Sequence, residues 1–333
     1  AEVKRTVAEI AQDTCVLNAD DPRCLKMAAY TEAKHVCYVT MNPNHQIVRA
    51  HIRAGGRAVV LEQGMNGHMI ALYDRGVHNP LLWTHLIPAT MEGRAMHNVN
   101  NAMFAAAMAY GLGVHRDHIE HGLRTFTTSF FQAPGRMNIF DEHPFKVIMD
   151  YGHNANGVAV IAALASRLPV TGRRLVVMAA PGDRRDSDIL ELAEAAAGHF
   201  DHYICKGDDN RRGRREGEVV ELLRQGLTAK GVTAEQITGI DSEREAIEAG
   251  LKMARPGDLL VVFADNIPRS WKQIIYFKPE FGAAAPARPN LSESPASASA
   301  LAGLPGLETF GESAELELIT DGRGVLIAPE AAD

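Results

Sequence analysis

Short apolar segments alternate with helical patterns along most of this 333-residue chain, and this alternation constrains the fold more than any other feature. Strands that are separated by helices pair in parallel, and the helices cover the faces of the sheet. The apolar segments predict strands at residues 15–18, 36–40, 58–61, 146–149, 175–179, 202–205 and 259–264. Runs of helix formers predict helices at residues 98–111, 156–167, 187–197, 216–230 and 242–254. The sequence therefore predicts an α/β fold.

Turn chemistry divides this α/β pattern into three regions. Residues 61–88 depart from it and predict two antiparallel strands around a turn. A Pro-Gly turn within SFFQAPGRMN, at 129–138, predicts a domain junction. After residue 280 the chain becomes rich in Ala, Pro and Ser, which predicts a disordered linker before an acidic tail with one short hairpin, ELELITDGRGVLIAP. We expect domains at 1–134 and 135–280, with a linker and tail at 281–333.

Composition excludes several classes of protein. The 34 basic and 41 acidic residues give a net charge of -7, which argues against a nucleic-acid-binding protein. No apolar run approaches the roughly 20 residues that cross a bilayer. The four cysteines form no CxxC pair, a pattern typical of buried thiols in a reducing compartment and not of a zinc site. We expect a cytoplasmic protein with no nucleic-acid or membrane partner.

Polar clusters in the first domain each allow two interpretations. Asp20 and Asp21 follow the first strand, where they either cap a helix that begins at Pro22 or contact a ligand. Asn98 and Asn101 open the longest helix and allow the same two roles.

The second domain carries polar clusters at three successive strand ends, where open α/β sheets bind ligands. The first is Asp150-Tyr-Gly-His153-Asn154, in which Asn154 is also a candidate N-cap. The other two are the charged segments 181–186 and 206–215. Arg136, at the predicted junction, either reaches a phosphate or is a surface charge. Because three strand ends carry such clusters, the sequence favours a site for charged substrates.

Eight motifs occur in order along the chain: LNADDP (17–22), HIRAGGRAVVLE (51–62), HNVNN (97–101), APGRMN (133–138), DYGHN (150–154), PGDRRD (181–186), DDNRRGR (208–214) and RSWKQIIYF (269–277). Together they resemble the Mur ligase superfamily, and in particular its cyanophycin synthetase branch. The resemblance implies part of a Mur-type central ATPase domain followed by a Rossmann-like Mur ligase C-terminal domain.

The resemblance also implies roles for single residues. Asn98 and Asn101 would lie by the adenine of ATP, and Asp150 would hold the ribose. Arg136 would reach an ATP phosphate and, with His153, is implied to be catalytic. A larger set would form the amino-acid-binding end: Asp183, Arg184, Arg185, Asp208, Asp209, Asn210, Arg211 and Arg212.

The reaction implied by the resemblance is the ATP- and Mg²⁺-dependent addition of arginine to side-chain carboxylates of poly-aspartate, through an acyl-phosphate. No Gly-Lys pair of a phosphate loop occurs in the sequence, and the ligands of the metal stay unassigned. The chain is expected to be a fragment of a longer ligase or a degenerate copy, acting as a homo-oligomer or within that longer ligase. Alternatives are a peptidoglycan-precursor or folyl-polyglutamate ligase and a catalytically silent binding domain.

Overall fold

A computed structural model describes residues 1–280 and 317–328. The chain forms two compact units. The first comprises Ala1–Phe126 together with Ser294–Asp333, and the second comprises Thr127–Glu293. The second unit therefore begins upstream of the expected boundary between residues 134 and 135. The predicted disordered linker lies outside the described residues.

The first unit contains a mixed five-stranded sheet in the order β1-β2-β3-β4-β5. Strands β1 to β3 are parallel, and β3, β4 and β5 are antiparallel, as predicted for residues 61–88. The strands are β1 Thr14–Asn18, β2 His35–Thr40, β3 Arg57–Gly64, β4 Gly67–Asp74 and β5 Val77–Trp83. The helices are α1 Glu2–Glu9, α2 Pro22–Lys26, α3 Gln46–Arg53, α4 Met96–Gly111 and α5 Arg116–Thr125.

Both faces of this sheet are buried, which explains why its central strands are continuously apolar. Side chains alternate along β2: Cys37 and Val39 enter one core, whereas Val36 and Tyr38 enter the other. Helix α4 packs against the first core through side chains spaced three and four residues apart, among them Val99, Met103 and Ala106.

The second core is completed by a hairpin from the far end of the chain, which confirms the hairpin predicted there. The strands of this hairpin are Leu318–Asp321 and Gly324–Ile327. They follow the 36 residues 281–316. Their side chains Leu326 and Ile327 are buried beside Val36, Tyr38 and Val48 of the first unit. The final residues of the described chain therefore form part of the first unit's core.

The second unit contains a six-stranded sheet in the order β10-β9-β8-β11-β7-β6, parallel except for β6. Its strands are β6 Asn138–Phe140, β7 Lys146–Asp150, β8 Arg174–Met178, β9 His202–Cys205, β10 Ile237–Gly239 and β11 Leu259–Phe263. Its helices are α6 Ala155–Arg167, α7 Asp186–Ala196, α8 Glu218–Ala229, α9 Glu243–Met253 and α10 Ile267–Tyr276. The predicted α/β fold is confirmed, and every predicted strand and helix is present.

The C-terminal hairpin consists of β12 Leu318–Asp321 and β13 Gly324–Ile327, which pair antiparallel. It is fastened to the first unit by His51, whose ring is fully buried. Nδ1 of His51 accepts the Val325 N–H at 3.0 Å, and Nε2 lies 3.1 Å from the Val36 carbonyl oxygen. Gly324, at φ +119°, is required here because a Cβ at this position would lie 2.3 Å from the His51 ring.

Candidate active site

Polar groups at the strand ends of the first unit are largely bonded within the fold. Asp21 caps α2 by accepting the Arg23 and Cys24 N–H groups, so the capping interpretation of this residue is confirmed. Asp20 instead reaches across to the end of β2, where it accepts the Met41 N–H at 2.7 Å and the Thr40 hydroxyl at 2.5 Å. Both carboxylates therefore have structural partners.

Asn98 and Asn101 lie on the first turns of α4, but neither caps the helix, since Ala95 occupies the N-cap position. The Asn98 amide donates to the Ala89 carbonyl oxygen at 2.7 Å, and the Asn101 amide donates to the Asn98 side chain at 3.2 Å. The two amides form a linked pair on one face of the helix. Their contact with adenine stays a prediction.

The second unit places Arg136, predicted at the domain junction, close to the turn that carries Asp150 and His153. Asp150 ends β7 and accepts the Met137 N–H at 2.8 Å. Burial raises the pKa of Asp150, while the Met137 N–H and the nearby Arg136 guanidinium oppose this shift. The Arg136 guanidinium lies 5.8 Å from the centre of the Tyr151 ring. A cation and a carboxylate therefore face the same turn, and ribose and phosphate binding by these groups stay predictions.

Hydrogen bonds fix the backbone that carries Arg136. The Tyr151 N–H donates to the Gly135 carbonyl oxygen at 2.9 Å, and the Gly135 N–H donates to the Asn138 side chain at 2.7 Å. His153 follows in the same turn, with its Nδ1 atom 3.1 Å from the Tyr151 carbonyl oxygen. The next residue, Asn154, accepts the Gly157 N–H at 2.8 Å and caps α6, which confirms that interpretation.

The two charged segments that follow β8 and β9 are joined by arginines. Arg214 donates to the carbonyl oxygens of Gly182 and Arg184, at 2.9 and 2.6 Å, and pairs with Asp186 at 2.7 Å. Arg212 pairs with Asp183 at 3.1 Å. These contacts bring both segments to one edge of the sheet, as predicted, and they give Arg214 a structural role that the sequence did not indicate.

The remaining predicted substrate-binding residues differ in whether their side chains already form ion pairs or hydrogen bonds within the chain. Arg185 forms an exposed ion pair with Asp188 at its own helix start, and Arg211 pairs with Glu216 and Asp241. Asn210 accepts the Arg212 N–H at 3.1 Å, and Asp209 pairs with Arg269. Within the described ranges 1–280 and 317–328, the exposed side chain of Arg184 forms no ion pair. Arg184 is therefore the cation of this set that is best placed to receive an anionic ligand.

Asp208 differs from these residues because it is buried. Its side chain is 5% exposed, and its Oδ1 atom lies 3.7 Å from Nζ of the fully buried Lys206. Burial, opposed by Lys206, raises the pKa of Asp208 to about 6. Lys206 itself lies 2.8 Å from the buried carboxylate of Glu243. The sequence interpretation placed Lys206 in the charged segment 206–215 without giving it a role, and it missed Glu243.

In the part of the chain that the structure describes, no group of three His, Cys, Asp or Glu side chains is arranged to hold a metal ion. In the same residues, no helix is long and apolar enough to cross a membrane. The described cysteines are free thiols, and Cys15, Cys37 and Cys205 are buried, as expected.

Comparison with known proteins identifies the second unit. Residues 135–266 match the family described as Mur ligase, glutamate ligase domain. The resemblance to Mur ligases is confirmed. A cyanophycin synthetase of Crocosphaera subtropica is 37% identical over 276 residues, which cover 81% of this chain and 30% of that protein. A cyanophycin synthetase of Trichormus variabilis is 38% identical, with coverages of 82% and 30%. The chain thus spans about a third of the length of these relatives.

Further relatives are less similar to this chain. A UDP-N-acetylmuramoyl-L-alanyl-D-glutamate–2,6-diaminopimelate ligase of Geobacter metallireducens is 28% identical, covering 74% of this chain and 46% of that protein. Among solved structures, a murein peptide ligase of Psychrobacter arcticus has a TM-score of 0.56 at 16% identity, covering 82% of this chain and 54% of that one. FolC of E. coli, solved with DHPP and ADP, has a TM-score of 0.55 at 20% identity, with coverages of 82% and 56%. These structures support the Mur ligase fold.

Proposed function

We propose that this chain is the Mur-ligase-like part of an ATP-dependent ligase of the cyanophycin synthetase type, which adds arginine to side-chain carboxylates of a poly-aspartate backbone. The observation that carries the proposal is the 37% identity to a cyanophycin synthetase over 276 residues. At 28% identity, the diaminopimelate ligase is a weaker match. Cyanophycin-type substrates are therefore the first choice.

The chemistry proposed is amide formation in two steps. A carboxylate oxygen of the polymer attacks the γ-phosphorus of ATP, and the bond from that phosphorus to the β,γ-bridging oxygen breaks, which releases ADP. The α-amine of arginine then attacks the acyl carbon, inorganic phosphate leaves, and the amine loses a proton. Cationic groups must stabilise the negative charge on the phosphoryl group while it is transferred from ATP to the carboxylate. Arg136, beside Asp150 in the second unit, is the described cation that we assign to this task.

The charged segments at the sheet edge suit an amino acid that carries both signs of charge. Arg184 offers an exposed guanidinium for a carboxylate, whereas Asp208 offers a buried carboxylate for a cationic group. Arg212 and Arg214 hold the two segments together and are assigned to structure.

The test is phosphate release with ATP, Mg²⁺, L-arginine and a poly-aspartate primer, using the ligase that contains this sequence together with a phosphate loop. Release that depends on both arginine and primer supports the proposal. Replacing arginine with glutamate or diaminopimelate separates the alternative ligases, because release with one of these and not with arginine would overturn the choice of substrate. Absence of release with every amino acid would favour a silent binding domain.

We expect the 333-residue chain by itself to bind ATP weakly and not to turn over. It lacks a Gly-Lys phosphate loop, and loss of a cationic group at a transferring phosphoryl can lower the rate on the order of 10³-fold or more. Amide formation from ATP by the purified chain would contradict this expectation. A phosphate-loop motif in frame upstream in the DNA would support a fragment of an active ligase.

A further inference from the structure

A buried pair of opposite charges, Lys206 and Glu243, lies directly beneath the carboxyl edge of the second sheet. Both side chains are fully buried, and their charged atoms are 2.8 Å apart. Replacing such a pair by apolar residues is often neutral for stability, so its presence calls for a specific role. The inference below rests on the proposed function, because it concerns the site proposed for the amino acid.

Glu243 is surrounded by donors. In addition to its ion pair with Lys206, its carboxylate accepts the Asp265 and Asn266 N–H groups at 2.8 and 3.0 Å, in the turn between β11 and α10. It also accepts Arg269 at 2.8 Å and the Ser270 hydroxyl at 3.0 Å. Although burial opposes ionisation, Lys206 and these N–H groups lower the pKa of Glu243 to about 2. Glu243 is therefore a fixed anion that holds Lys206 in place.

Asp208 is placed differently toward the same lysine. Its distance of 3.7 Å from Lys206 is too long for a hydrogen bond, and its side chain accepts no hydrogen bond from the described residues, 1–280 and 317–328. The charged groups that act on it are Lys206, Asp265, Arg212 and Glu243. A buried carboxylate with unused acceptors is costly unless a ligand supplies donors.

We propose that Glu243 and Lys206 are positioning residues that keep Asp208 ionised, with its oxygens open, to receive the cationic side chain of the amino-acid substrate. Glu243 forms the close ion pair with Lys206, at 2.8 Å, for which Asp208 would otherwise compete. Lys206 then acts on Asp208 as a nearby charge and not as a bonded partner. A guanidinium can supply the two missing donors in a planar pair, which a neutral side chain cannot do with the same strength.

The first experiment follows the titration of the Asp208 carboxyl by ¹³C NMR in the 333-residue chain. Lys206→Met should raise the pKa of Asp208, because a cation is lost, whereas Glu243→Gln should lower it, because an anion is lost and Lys206 is released toward Asp208. Lys252→Met, which removes an exposed lysine, is the control and should leave it unchanged. If Glu243→Gln does not fold, Asp265→Asn provides a second variant that should lower the pKa of Asp208, because it also removes a nearby anion. If Lys206→Met and Glu243→Gln shifted the pKa of Asp208 in the same direction, the positioning role would be wrong.

The second experiment measures binding of L-arginine and of L-citrulline, its neutral analogue, by calorimetry. Unaltered protein should bind arginine at least tenfold more tightly than citrulline, and Asp208→Asn should abolish that preference. A rise of one unit from the Asp208 pKa of about 6 would leave roughly half of the carboxyl ionised at pH 7. Lys206→Met should therefore weaken arginine binding about twofold at pH 7, and binding should recover at pH 8.5 as Asp208 ionises. Glu243→Gln should weaken arginine binding at both pH values, because Lys206 is then free to pair with Asp208.

The two experiments distinguish a wrong substrate from a wrong role for Lys206. If unaltered protein binds neither amino acid, the proposed substrate is wrong, and opposite shifts in the titration still support the positioning of Asp208. If arginine binds but Lys206→Met shows no recovery at pH 8.5, the charge-setting role of Lys206 is overturned while the proposed function stands.

Discussion

Asp20 in the first unit and Asp208 in the second both follow a strand of a largely parallel sheet, yet the fold uses them differently. Asp20 is occupied by a backbone N–H and a hydroxyl from the neighbouring strand end. Asp208 is more deeply buried and has a charge nearby but no hydrogen bond from the described chain. The comparison teaches that a polar residue after a strand is structural when the fold supplies its donors, and available to a ligand when the fold does not.

The largest effect expected from this comparison is at Glu243, the most fully bonded carboxylate at the edge of the second sheet. Glu243→Ala should lower the free energy of unfolding by about 3–5 kcal/mol, because Lys206 would be left as an uncompensated buried charge. Urea unfolding checks this value. Glu248→Ala, in the same helix, removes only the partner of an exposed lysine and should have no measurable effect. If the two changes lowered the free energy of unfolding equally, a buried, hydrogen-bonded carboxylate would be no more important for stability than one in an exposed ion pair.

Gly324→Ala is expected to have the next largest effect, in the first unit. A Cβ would strike the buried His51 ring and force an unfavourable φ, so the hairpin should detach at a cost of about 2–4 kcal/mol. Gly322→Ala is the matched control, since the space around its Cβ is open. Hydrogen exchange of the Val325 N–H reports the hairpin directly. Protection of this N–H that persists in Gly324→Ala would show that His51 does not fasten the hairpin.

Asp20→Ala should cost about 2 kcal/mol, because the Met41 N–H loses a charged acceptor. Thermal unfolding of the chain measures the change. Asp21→Ala removes a helix cap instead and should cost about 1 kcal/mol. If Asp20→Ala were without effect, this residue would be free of the structural role that separates it from Asp208.

Asp208→Asn should have the smallest effect on stability and the opposite sign. A carboxyl whose folded pKa is about 6 binds its proton more tightly when folded than when unfolded, so its ionisation opposes folding as the pH rises. The variant should therefore be at least as stable as the unaltered chain at pH 7, and this advantage should shrink as the pH falls from 7 to 5. Urea unfolding across that range tests the sign. A loss of stability at pH 7 would show that Asp208 has a bonded structural role like that of Asp20.

Local sequence patterns predicted the elements of this fold and some of its caps. Apolar segments identified the central strands because both faces of each sheet are buried. Asp21 and Asn154 were recognisable because a cap bonds to N–H groups only two or three residues away. The contact between Lys206 and Glu243 depends instead on the pairing of β9, which ends just before Lys206, with β10, which precedes Glu243. No local pattern contains this pairing.

The predicted substrate-binding set shows the same limit. Arg184, Arg185 and Arg212 look alike in the sequence, yet one forms no ion pair in the described residues, one pairs within its own helix start and one joins two segments. Which arginine stays available depends on carboxylates that arrive from other segments. The chemistry of the segment was predictable, but the assignment of each side chain was not.

The His51 contact with Val325 joins residues that are 274 positions apart, and this has a consequence for the order of assembly. During synthesis the second unit leaves the ribosome before the hairpin does, whereas the first unit's second core stays incomplete until Leu326 and Ile327 emerge. The first unit precedes the second along the chain, yet its second core stays unfinished while the second unit is being made.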